Sequence, residues 1–127
     1  MKLILAVATA SLMIGSAYAQ DDSEELVVVL PDDAQKCVLP ASPDAIPESP
    51  TYDDLKAAKA QVDDFQSKMI TFRDCLSKAD ENPDNTQGNK QAIINSFNYS
   101  VEMEERVAAR FNEAVRAYKE AQANAEG

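Results

Sequence analysis

The sequence predicts an all-α fold: an antiparallel two-helix hairpin with a disulfide-tethered, Pro-rich extended N-terminal strip. Three observations predict it. Apolar residues recur at 3-4 spacing from Leu55 to Ala79, and again from Ile94 to Tyr118. Five of the six prolines fall within Pro31–Pro50. Two cysteines, Cys37 and Cys75, stand one at the head of that proline stretch and one near the end of the first helical pattern. The chain has 127 residues, enough for one small domain.

Residues 1–19 read as a cleavable signal peptide. Lys2 supplies a positive start, Leu3 to Gly15 is apolar apart from Thr9 and Ser11, and Ala17-Tyr18-Ala19 is a small-x-small cleavage site. The apolar run is too short to cross a bilayer, which takes about 20 residues. The expected location is therefore periplasmic or secreted, with no membrane contact after signal cleavage.

Residues 20–36 form an acidic N-terminal segment with a short apolar run. Residues 20–54 carry ten acids and one base, Lys36, whereas residues 55–127 carry twelve acids and ten bases. Such an acidic tail keeps a chain soluble and extended. Within it, Leu26-Val27-Val28-Val29-Leu30 reads as a strand candidate without a strand partner. Partial disorder is expected there, and deletion of residues 20–34 is expected to leave the hairpin intact. The alternatives are packing of the run on the hairpin near the turn, close to Cys75, and docking to a partner by β-augmentation.

Residues 37–50 form the Pro-rich strip. Each proline lacks an N–H and pushes its predecessor toward extended geometry, so Cys37 to Pro50 cannot be helical. Residues 51–123 form the hairpin. Thr51 is placed to cap the first helix, with Asp53 and Asp54 in its opening turn. Its seam is Leu55, Ala58, Val62, Phe65, Met69, Phe72, Leu76 and Ala79, and it ends before Asn82-Pro83. Asp84 or Thr86 is placed to cap the second helix, whose seam reads Ile94, Phe97, Val101, Glu104, Ala108, Phe111, Val115 and Tyr118. The last residues should fray. A short turn makes the helices antiparallel neighbours with facing residue numbers summing to about 170. Phe72 then meets Phe97, and Glu104 lies near Gln66 within reach of Lys68. Beside the second seam runs another column, Ile93, Ser100, Val107, Ala114 and Ala121, on the side of Cys75. The strip is expected to cover that side with Val38, Leu39 and Ile46.

In an exported chain the two cysteines are expected to pair as Cys37–Cys75; free thiols and an intermolecular bridge are the alternatives. The bridge closes a loop of about 38 residues, for which chain entropy predicts about 4 kcal/mol of stabilisation. Cys37 to Thr51 spans about 43 Å as polyproline II. Thr51 to Cys75 spans about 36 Å as helix, so the strip can run back along the helix with little slack.

The motif Cys37-x-x-Pro40-x-x-Pro43-x-x-Ile46-Pro47, then Val62 and Phe65, Cys75-Leu76, and Arg110-Phe111-Asn112 with Tyr118, resembles a group of small uncharacterised exported proteins of Gram-negative bacteria. The likeness covers roughly residues 37–120. Glu48-Ser49-Pro50 stands where a Gly-containing segment usually follows the Ile-Pro. The resemblance implies a periplasmic address and no activity.

Composition narrows the chemistry. The chain has no His and no Trp, and acids outnumber bases 22 to 12. The acidic balance argues against nucleic acid, because phosphate contacts need cationic side chains. Serines and threonines have no His partner, and no Gly-rich phosphate loop exists. No cofactor and no enzymatic activity are expected. Asp80, Asn82 and Asp84 have the 1-3-5 oxygen spacing of an EF-hand loop. However, Asn85 stands where that loop needs Gly, and Gln91 where it needs Glu. Asn98-Tyr99-Ser100 is a glycosylation sequon on a helix. The sequence reads as an exported structural or protein-interaction module with an unknown protein partner, monomeric or weakly dimeric. The alternative is a divalent-cation-binding protein using the acidic turn.

Overall fold

The computed structural model describes residues 25–126. The predicted signal peptide lies outside them. Three helices form: α1 (Asp32–Gln35), α2 (Tyr52–Asp80) and α3 (Gln87–Glu126). The fold is mostly helical, with no strand among the described residues.

α2 begins where a reciprocal cap fixes it. The Thr51 hydroxyl accepts from the Asp54 N–H at 3.1 Å, and the Asp54 carboxylate accepts from the Thr51 N–H at 2.8 Å. Thr86 and Asn89 repeat the device at the start of α3, each backbone N–H donating to the other's side chain at 3.0 Å. Between them the Asn82 carboxamide oxygen accepts from the Asp84 N–H, and Asn85 Nδ2 donates to the Ala79 carbonyl at the open end of α2.

All eight predicted seam residues of α2 are buried, with Met69 and Leu76 almost completely so. α3 differs from expectation. Its buried centre is Ile93, Ser100, Val107 and Ala114, with Gly88 and Ala92 at its start. The predicted seam is displaced to the flank: Ile94 is 51% exposed and Phe97 37%. The two columns share a seven-residue period, and α3 turns toward the one that faces α2 and the N-terminal segment together. Ser100 can be wholly buried because its hydroxyl donates to the Phe97 carbonyl of its own helix at 2.6 Å.

The rotation rearranges two expected contacts. The Phe97 ring lies 6.0 Å from the Arg73 guanidinium, and Phe72 instead shares an apolar pocket with Leu30, Ala34 and Leu76. Glu104 pairs with Arg73 at 2.7 Å, while Lys68 pairs with Asp64 on its own helix. The Arg73 Nη1 hydrogens are not aimed at an acceptor, so this is an ion pair without an aligned hydrogen bond. At the other end, the rings of Tyr52 and Tyr118 lie 6.5 Å apart. The helix continues three residues past the predicted limit at 123, to Glu126; from Lys119 on it is exposed throughout.

Candidate functional site

Cys37 and Cys75 are bonded, with their Cα atoms 5.6 Å apart and 38 positions separating them. The bridge fixes the N-terminal segment against the end of α2. The Cys37 N–H donates to the Ala34 carbonyl, and Ala34 is 2% exposed among Phe72, Leu76 and Ile93 in the core. Ala34 and, in part, Leu30 thus belong to the core, which speaks against the expectation that residues 20–34 are dispensable. The reason is that α1 turns a methyl group inward directly beside the bridge.

Leu26–Leu30 is extended chain that belongs to no helix or sheet. It crosses the start of α3, held through its carbonyls. Asn89 Nδ2 donates to the Val29 carbonyl and Gln35 Nε2 to the Leu30 carbonyl, both at 2.8 Å. The Val27 carbonyl sits on Gly88 so closely that a Cβ there would lie 1.8 Å from its oxygen. Farther on, Asp33 anchors α1 to the inter-helix turn. Its carboxylate accepts from Lys36 and from Asn82 Nδ2, and these bonds hold its pKa below the usual carboxylate range. With the carbonyls turned inward, the side chains face out. Leu26, Val27, Val28 and Val29 are between 48% and 72% exposed, flanked by Glu25, Asp32 and Asp33.

Gly88 was the readable clue to this docking. Glycine is a poor helix former, and close backbone approach is a reason to keep one at a helix start. Asn89 and Gln35 carried no such signal, because their partners are about 60 and 5 residues away along a path that only the fold defines.

The remaining sequence candidates are placed as follows. Asn82 spends its carboxamide on the Asp84 N–H and the Asp33 carboxylate, so its side chain is already engaged within the turn and with α1. Among the described residues no group of three or more acidic or cysteine side chains could hold a metal ion. Ser100 of the sequon is buried. Residues 38–50 contain no helix; Ile46 lines a cleft of about 640 Å³ with Val62, Val107 and Ala114, and the Asp44 N–H donates to Gln61 Oε1 at 2.9 Å. Leu39 lines the pocket beside Phe72, whereas Val38, expected to cover α3, is 79% exposed. No described helix is long and apolar enough to cross a membrane.

No family model matches the chain, and neither a curated protein nor a solved structure is similar to it.

Proposed function

We propose that this protein is a small exported module that presents an apolar ribbon, Leu26–Val29, to a protein partner. The observation that carries the reading is the posture of that ribbon. Four successive apolar side chains are exposed while their backbone is held against α3 at Gly88 and by Asn89, with the adjoining Leu30 carbonyl held by Gln35 of α1. A merely solvating tail needs neither the apolar residues nor the anchors. Pinning removes chain entropy before binding, so less is lost when a partner covers the ribbon.

The frame behind the ribbon is an antiparallel hairpin with an extended strip stapled along one groove. The pairs Tyr52–Tyr118 and Arg73–Glu104 support the opposed directions of the helices. The bridge at Cys75, the Asp44–Gln61 bond and the place of Ile46 beside Val107 support a strip running back along α2. The signal-like residues 1–19 and the bridge support a periplasmic or secreted address, since disulfides persist in oxidising compartments. The likeness to uncharacterised exported proteins points the same way.

The test is site-specific photocrosslinking in the intact secreting cell. A photoreactive residue at Val28 should give one discrete protein adduct, and the same residue at Glu120, on the exposed end of α3, should not. No adduct at Val28, or the same adduct at both positions, overturns the reading.

A further inference from the structure

Beyond the ribbon, the hairpin has an unused face. α2 offers two sides to α3. On one lie Gln61 and Cys75, bonded to Asp44 and Cys37. On the other lie Arg73, against Glu104 and Phe97, and Ser77, which lines a pocket with Ile94 and Phe97. The N-terminal segment occupies the first side. The second carries the 3-4 column of α3 that the fold leaves at the flank of its buried centre: Ile94, Phe97, Val101, Glu104, Ala108, Phe111, Val115 and Tyr118, of which Phe111 touches the core and Tyr118 the Tyr52 ring. Ile94 and Phe97 are exposed, and the other six are half-buried. Ile70, 55% exposed on α2, borders the same side.

We propose that this face docks a second copy of the chain, α3 against α3 across a two-fold axis. The column is built to pair with itself. Its spacing, 3-4-3-4-3-4-3, reads the same in both directions, so two antiparallel copies match at every layer. Ile94 then meets the partner's Tyr118, Phe97 the partner's Val115, and Val101 the partner's Phe111. In the middle, Glu104 meets the partner's Ala108. A larger side chain opposes a smaller one at three of these four layers, which favours close packing.

Charge supports the same occupant. Residues 55–127 are nearly balanced, with twelve acids and ten bases, while the acidic excess lies in residues 20–54. The one ionic layer, Glu104 with Arg73, falls next to the axis and brings equal charges of both signs, which fixes register at some cost in stability. The face runs about 36 Å from Ile94 to Tyr118 and two helices wide, about 20 Å, or about 700 Å² per copy. That is slightly below the roughly 800 Å² per partner of a standard interface, the size of a reversible dimer.

The inference does not depend on the role of the ribbon. The experiment is sedimentation equilibrium on the chain from Gln20 onward, which keeps every described residue, from about 1 to about 200 µM, a range that brackets micromolar dissociation. The wild type should shift from monomer to dimer across it. Ile94→Glu should raise the dissociation constant at least tenfold, and Ile70→Glu should raise it less, with helicity unchanged in both. Val38→Glu, on the opposite side and 79% exposed, should leave it unchanged. A monomer throughout, a dimer indifferent to Ile94→Glu, or equal loss in Val38→Glu each overturns the proposal. The second of these outcomes indicates hairpins opened and exchanged between copies.

Discussion

Replacing both cysteines, Cys37→Ala with Cys75→Ala, removes the covalent closure of a segment whose ends are 38 positions apart. The chain-entropy relation gives a loss of about 13 cal/mol/K for that loop, or about 4 kcal/mol at 25 °C. A domain of about 100 residues shifts its melting temperature by about 4–8 °C per kcal/mol. The expected fall is therefore about 15–30 °C. Reduction acts on more than entropy here, because the bridge adjoins Ala34, which is buried against the core with Leu30 packed beside it. Thermal melts followed by helical circular dichroism, on oxidised, reduced and double-alanine protein, measure the effect. The reduced and double-alanine proteins should agree with each other. A fall below about 5 °C, outside the range that the loop length sets, would refute the reasoning. So would thiols that react in the native, unreduced protein.

Leu76→Ala, at a side chain 1% exposed, should cost about 2–5 kcal/mol in denaturant unfolding. Deleting residues 20–34 should lower the melting temperature, since the cut removes Leu30 and Ala34 from the packed interior. Gly88→Val should push the Val27 carbonyl away and speed proteolysis within Leu26–Leu30, while α2 and α3 keep their helicity. Asp33 and Asp54 both hold depressed pKa values, the first from Lys36 and Asn82 and the second from the Thr51 backbone N–H and hydroxyl. Their stabilisation is complete above the unfolded-state carboxylate pKa and is lost as pH falls through the lower folded value. Melting temperature should thus drop below about pH 4, and Asp33→Asn or Asp54→Asn should lessen that drop. Millimolar calcium should leave the melting curve unchanged; a clear rise would restore the cation reading of the Asp80–Asp84 turn.

The first long helix was legible because a single column carries its burial. Leu55 through Ala79 have no apolar rival beside them, and Thr51 with Asp54 announces the start. The cysteine pair was legible by count alone. The second long helix was misread by one column because two adjacent columns both look apolar. Periodicity cannot choose between columns of equal period; what packs against them does. The true centre includes Ser100, which reads as polar and is fully buried because it satisfies itself on its own helix. α1 left no sequence signal, being four residues stabilised by the neighbouring bridge and by Asp33 contacts. Of the ribbon's anchors only Gly88 left a trace in the sequence; Asn89 gave none, because the carbonyl it holds is 60 positions away.

The disulfide also decides how the molecule responds to being cut. Cys37 and Cys75 enclose residues 38–74 in a covalent ring that contains the non-helical stretch before Thr51 and most of α2. Exposed backbone such as Ala41–Ser42 is where a protease would strike first. One cleavage there opens the ring without dividing the molecule, and the Asp44–Gln61 bond and the Thr51 cap remain on the downstream piece. The turn after Asp80 has no such insurance. A cut between Glu81 and Asn85 leaves α3 attached by non-covalent contacts alone. In a compartment rich in proteases, damage would therefore have opposite fates at the two places, a nicked but whole protein at one and separable fragments at the other. Gels run without reductant would tell them apart.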